Sequence, residues 1–129
     1  MELKVIEILQ RDHEMNHKHS KDFMVSVEEI LVNMLDGYKL TRKNQTVIIY
    51  KPVGSVGDGV EFHCYNAGHG SELAQNVLNF FEDCRESGAT WAVTPYQNPK
   101  INQLFLANIP AERLTIVQTP TGFEATTRL

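Results

Sequence analysis

Val60-Glu61-Phe62-His63-Cys64-Tyr65 alternates side chains along its length, and Asn66-Ala67-Gly68-His69-Gly70-Ser71 interrupts it at once. The alternation is that of a β-strand with one apolar face, and the paired glycines mark the turn that ends it. Leu73, Ala74, Val77, Leu78 and Phe81 then recur at helical spacing, with Gly88 as the stop. Trp91-Ala92-Val93 begins a second strand, and Asn98-Pro99 opens a short helix. The stretch from Val60 to Ile109 is thus a βαβα unit. Its turn sets a helix N-terminus, with unpaired N–H groups, where an anion can be received.

Outward from this unit, Thr46-Val47-Ile48-Ile49-Tyr50 is a β-branched run joined to Val60 through Pro52 and the glycine-rich Gly54–Gly59. That pattern predicts an antiparallel hairpin. Leu114–Gln118 and Gly122–Thr126, separated by Thr119-Pro120-Thr121, predict a second hairpin. Toward the N-terminus, Ser26 and Glu29 have capping-box spacing, followed by an apolar stripe of Val27, Ile30, Leu31, Met34 and Leu35 and by Gly37. Leu3–Leu9 is expected to open the sheet as a strand, and the polar segment from Arg11 to Asp22 to be a loop or exposed helix. The expected fold class is α+β. Its centre should hold Val47, Ile49, Phe62, Leu73, Val77, Phe81, Trp91, Val93, Leu104, Ile116 and Val117.

The chain has 129 residues, which suits one domain (1–129) with a core that needs no metal or disulfide. A hydrophobic fraction of 42% fits a folded globule rather than a disordered segment. Net charge is −4 with no basic block, which argues against nucleic-acid binding. No run approaches the roughly 18 apolar residues of a membrane span, and no signal-peptide pattern opens the chain, so a cytoplasmic setting is expected. Cys64 and Cys84 read as small core hydrophobes rather than a disulfide.

From about residue 45 to residue 129 this succession resembles the GCN5-related N-acetyltransferase (GNAT) family. In that family a strand leads into a turn of the form Gln/Arg-x-x-Gly-x-Gly/Ala, whose amides hold the pyrophosphate of acetyl-CoA. Tyr65-Asn66-Ala67-Gly68-His69-Gly70 carries both glycines in register, with tyrosine in the leading place. Asn98-Pro99-Lys100-Ile101 echoes the family's Asn-x-x-Ala helix. The resemblance implies a mixed, mainly antiparallel central sheet with helices on its faces. Its two middle strands should splay around Glu61–Tyr65 and Trp91–Thr94 to admit the pantetheine arm. It also implies acyl-CoA-dependent N-acetyltransferase activity by direct attack of an amine, with acetyl-CoA as co-substrate. The cofactor-binding residues would be Tyr65, Asn66, Gly68, His69, Gly70, Ser71 and Asn98. The acceptor would be a small-molecule or protein amine.

The residues themselves leave alternatives open. Glu61, His63 and Tyr65 share one strand face, so Glu61 or His63 can serve as a proton acceptor, or all three can be a solvated polar face. Aligned from Asn98, the family's thiolate-protonating tyrosine falls on Phe105, which leaves Tyr96 or water for that task. Between Lys51 and Arg85 there is no lysine or arginine, and Glu72 sits in the helix's first turn. These departures support a second hypothesis, a non-catalytic domain serving protein binding, regulation or assembly. Pairing into a homodimer through Leu114–Thr127 is a further expectation. His13, His17 and His19 lack the order of a zinc protease motif, and no metal site is expected.

Overall fold

The computed structural model describes residues 2–15 and 23–129. Its element order is α1 (Leu3–Met15), α2 (Phe23–Leu35), β1 (Lys39–Lys43), β2 (Thr46–Val53), β3 (Gly59–Asn66), α3 (Gly70–Glu86), β4 (Trp91–Tyr96), α4 (Ile101–Asn108), β5 (Leu114–Thr119) and β6 (Gly122–Arg128). A 3-10 turn at Ala111–Arg113 leads into β5. The six strands form one sheet in the order β1-β2-β3-β4-β6-β5. Only β3 and β4 run parallel, because α3 carries the chain across between them; the other neighbours are antiparallel. The expected α+β class and both expected hairpins are present.

Each face of the sheet is covered by helices, and strand alternation sorts the two cores. Ile48, Val60 and Phe62 point toward α3 and α4, where they meet Phe80, Phe81, Cys84, Phe105 and Ile109. Val47 and Ile49 point the other way, against Val5, Ile8 and Leu9 of α1 and Ile30 of α2. Phe62 is the hub of the first core, edge-on to Phe81 at 5.4 Å between centroids and tilted against Phe80 at 5.5 Å. Both cysteines are free thiols inside this face.

Four expectations are corrected. Leu3–Leu9 belongs to helix α1, because Val5, Ile8, Leu9 and Asp12 fall on one helical face that lies on β2 and β3. Helix α2 begins at Phe23, so Ser26 lies inside its first turn rather than capping it. Val117 is 46% exposed, because β5 is an edge strand and its outer face meets solvent. Leu73, Val77, Trp91, Val93, Leu104 and Ile116, expected at the centre, are only partly buried. Strand β1 was not anticipated: Lys39-Leu40-Thr41-Arg42-Lys43 is too charged to read as a strand, yet it is suited to the opposite edge. His17 and His19 lie outside the described residues.

Candidate functional site

Parallel pairing between β3 and β4 covers only Gly59–Trp91, Val60–Ala92 and Glu61–Val93. Beyond that point the strands part. Pro95 lies in the diverging half of β4 and, without an N–H, withholds a donor from its neighbours. The gap opens into a cavity of about 770 Å³ bounded by the ends of β3 and β4 and by the facing sides of α3 and α4. Phe62, Leu73, Val77, Ile101 and Phe105 give it an apolar wall.

At one end of the cavity stands the glycine turn. The first α-helical bond of α3 runs from Leu73 N to His69 O at 3.0 Å, which leaves the amides of Gly70, Ser71 and Glu72 without helical acceptors. His69 occupies the N-cap in extended conformation and makes no side-chain cap. Neither Gly68 nor Gly70 has positive φ. Their importance is closeness: a Cβ built on Gly68 would overlap the Glu72 carboxylate, which folds back against the turn. At Gly70 a Cβ would meet only Leu104, at 3.8 Å.

Asn66 shapes this turn from inside. Its Nδ2 donates to Gly68 O at 2.9 Å, and its Oδ1 accepts from Thr46 Oγ1 at 2.9 Å. Its own amide donates to Asp12 Oδ1 at 2.9 Å, tying α1 to the turn. No motif marks Asp12 in the sequence; its signal is a carboxylate on the apolar stripe of α1. Burial pushes its carboxyl up, against the opposing pull of the Asn66 amide.

The far wall carries Tyr96. Its ring is stacked between Phe105 and Phe123, at 5.9 and 5.8 Å between centroids, and its hydroxyl donates to Asn102 Oδ1 at 2.5 Å. Desolvation raises its pKa, so the phenol is protonated at neutral pH. Phe105 is 8% exposed, packed as a core aromatic. Asn98 borders the cavity and accepts from the Lys100 amide at 3.0 Å, which shapes the entry to α4. Lys100 is the one lysine or arginine among the described residues lining the cavity.

The other face of β3 holds a polar group of three. Glu61 Oε2 accepts from Tyr38 Oη at 2.7 Å, and Glu61 Oε1 lies 3.6 Å from His63 Nε2. Burial drives the His63 pKa down, Glu61 pulls it up, and Lys51 adds a small further depression. Tyr65 is buried enough that its phenol is pushed up to about 12.

Of the candidate residues, His63, Tyr65, Asn66, Gly68, Gly70, Tyr96 and Asn98 border this cavity. Glu61 sits one pleat back, at the last paired position, and His69 and Ser71 are exposed at the turn. Among the described residues no group of three histidines, cysteines or carboxylates is placed to hold a metal. No helix among them is long and apolar enough to cross a membrane.

No family model matches this chain, and no curated protein matches it in sequence. Solved structures do match. The ribosomal-protein-alanine N-acetyltransferase of Brucella melitensis is similar over 97% of this chain and 92% of its own, with a TM-score of 0.60 at 12% identity. The N-acetyltransferase PseH of Campylobacter jejuni, in complex with acetyl coenzyme A, is similar over 99% and 92%, with a TM-score of 0.57 at 16% identity. The protein yncA of Salmonella typhimurium, solved with its cofactor acetyl-CoA, is similar over 97% and 86%, with a TM-score of 0.56 at 16% identity. By strand order, by the splay of β3 from β4 and by these likenesses, the chain has the fold of the GNAT acetyltransferases.

Proposed function

We propose that this protein is an acyl-CoA-dependent N-acetyltransferase that works by direct attack of an acceptor amine. The observation that carries this is the divergence of β3 and β4 after Glu61–Val93, which opens an apolar cavity ending at the bare N-terminus of α3. The residues present fit acetyl-CoA: Gly70 has open space beside it, with Leu104 at 3.8 Å the nearest atom to a built Cβ, and the amides of Gly70, Ser71 and Glu72 face no helical partner, while the Glu72 carboxylate beside Gly68 would swing aside for the anion. Gly68, Gly70 and those amides would hold the pyrophosphate. Asn98 and the parted strand edges would line the pantetheine arm.

Bound acetyl-CoA supplies an activated thioester. A side chain on β3, Glu61 or His63, takes one proton from the acceptor ammonium, so that the nitrogen lone pair is free to form the amide bond. As that bond forms and the carbon–sulfur bond breaks, the second nitrogen proton passes to water and the thiolate is protonated. Tyr96, whose hydroxyl donates to Asn102, would turn to the thiolate as the donor, since Phe105 carries no hydroxyl, and would regain its proton from water. The acceptor is a primary amine on a small molecule or a protein; the Brucella neighbour acts on ribosomal-protein alanine.

The deciding experiment is titration calorimetry of purified protein with acetyl-CoA and with CoA, alongside Gly68→Asp and Gly70→Asp. Saturable 1:1 binding, lost in both variants with their thermal unfolding unchanged, supports the cradle. Unchanged affinity in folded variants rejects it. A second reading, a GNAT-fold domain that binds a protein instead, draws on the Glu72 carboxylate lying against Gly68 and on Phe105. Absence of any heat with millimolar acetyl-CoA would favour it.

A further inference from the structure

We infer that His63 is the proton acceptor of this cleft and that Glu61 and Tyr38 are positioning residues that hold it. The inference rests on the acetyltransferase reading and chooses between two side chains which alternation alone leaves equivalent. Glu61 is the last residue of β3 paired with β4, opposite Val93. His63, two residues on and on the same face, is the first of that face in the unpaired half, and it borders the cavity. The splay therefore places His63 on the cavity lining, which Glu61, equally exposed at 28%, does not join.

Tyr38 then explains what Glu61 does. Its hydroxyl donates to Glu61 Oε2 at 2.7 Å, which commits that oxygen and turns Oε1 toward His63 Nε2 at 3.6 Å. The Tyr38 ring packs beside the imidazole, 5.8 Å between centroids, and Lys51 Nζ lies over the Tyr38 ring at 4.5 Å from its centroid. With Nε2 facing a carboxylate, the imidazole keeps its hydrogen there and presents its lone pair at Nδ1. Burial keeps the ring neutral, and Glu61 stabilises the imidazolium that forms when it takes a proton. One proton moves from the acceptor ammonium to the imidazole and is later released to water, so the ring is regenerated. The ionisable groups facing this ring are Glu61 on its own strand, Lys51 on β2 and Tyr38 ahead of β1. Asp12 of α1 and Glu29 of α2 border the same cavity.

The test is an imidazole NMR titration of the full chain, with His63→Asn used to assign the resonance, in parallel with acetyl-CoA calorimetry and thiol release. The amine probes are tyramine, spermidine and an alanine-headed peptide. His63 should titrate below the ordinary histidine value of about 6.5. Glu61→Gln should lower it further, because the carboxylate's charge favours the imidazolium. In Glu61→Gln and Tyr38→Phe, kcat should fall at least tenfold with KM for acetyl-CoA unchanged. The acidic limb of the pH profile should move with the NMR midpoint in Glu61→Gln and vanish in His63→Asn. A His63 midpoint that does not respond to Glu61→Gln overturns the positioning role of Glu61 and Tyr38 alone. An unchanged rate and pH profile in His63→Asn overturns its role as acceptor. Failure of the wild type to bind acetyl-CoA overturns the acetyltransferase reading and this role together.

Discussion

Asn76 Nδ2 donates to Thr46 Oγ1 at 2.9 Å, joining the middle of α3 to the start of β2. The hydroxyl passes the bond on to Asn66, which holds the Gly68 carbonyl, while Asn76 Oδ1 accepts from Asn44 Nδ2 at 3.1 Å. Asn76 is 2% exposed and Thr46 fully buried, so these groups have no water to fall back on. The glycine turn is thus framed by side chains far from it in sequence.

Asn76→Leu should destabilise the fold by about 1–3 kcal/mol, since it removes the donor that the buried Thr46 hydroxyl accepts from. It should also weaken acetyl-CoA binding, because Asn66 loses part of its frame. Urea unfolding and calorimetry on the same preparation check both effects. Loss of stability without loss of affinity would mean that the network braces α3 and not the turn.

Glu72→Gln removes a carboxylate that lies against Gly68. Acetyl-CoA affinity should rise up to about fivefold at low salt, the scale of a charge at an exposed helix N-terminus. The gain should shrink in high salt through screening. Equal or weaker binding by the variant would show that the carboxylate is no competitor for the anion site.

The Cys64 thiol is pushed up to about 12 and that of Cys84 to about 11, in both cases chiefly by burial. At pH 8 both should resist a thiol-specific disulfide reagent in the native protein and react fully in denaturant. Rapid native-state labelling of Cys64 would indicate that the cleft admits solvent to β3.

Phe62→Ala removes the ring between Phe80 and Phe81 and should destabilise by about 3–5 kcal/mol. Thermal and urea unfolding measure it. A loss below about 1 kcal/mol would mean that the cavity wall collapses to refill the space.

Gly59→Ala tests the join between β3 and β4. A Cβ there would overlap the Trp91 ring, at the first of the three parallel pairs. Destabilisation of about 1–3 kcal/mol is expected from overpacking. Equal stability would require Trp91 to move aside, which its near-ultraviolet dichroism would report.

From Thr46 onward the elements are legible because each carries a local signal: a β-branched run in β2, alternation in β3, helical recurrence in α3, and glycine at the boundaries. The N-terminal third was harder. Leu3–Leu9 mixes apolar and charged residues so closely that strand and helix patterns both fit, and only its docking on β2 and β3 separates them. Strand β1 escaped notice because an edge strand with exposed lysines needs no apolar alternation. At the site, Gly68, Gly70 and Asn98 were marked by their motif positions. Tyr38 and Asp12 lie in no motif, and they reach the site through the β1–β2–β3 register and the seat of α1.

By itself the sequence determined the order and type of the elements from β2 to β6, and with them which residues of β3 share a face. Local periodicity and turn chemistry carry that information within a few residues. Only the tertiary structure decided that Glu61 stays at the paired edge while His63 reaches the cavity. That difference depends on where parallel pairing with β4 stops, and the stopping point is set by contacts between segments about 30 residues apart, which no local pattern records.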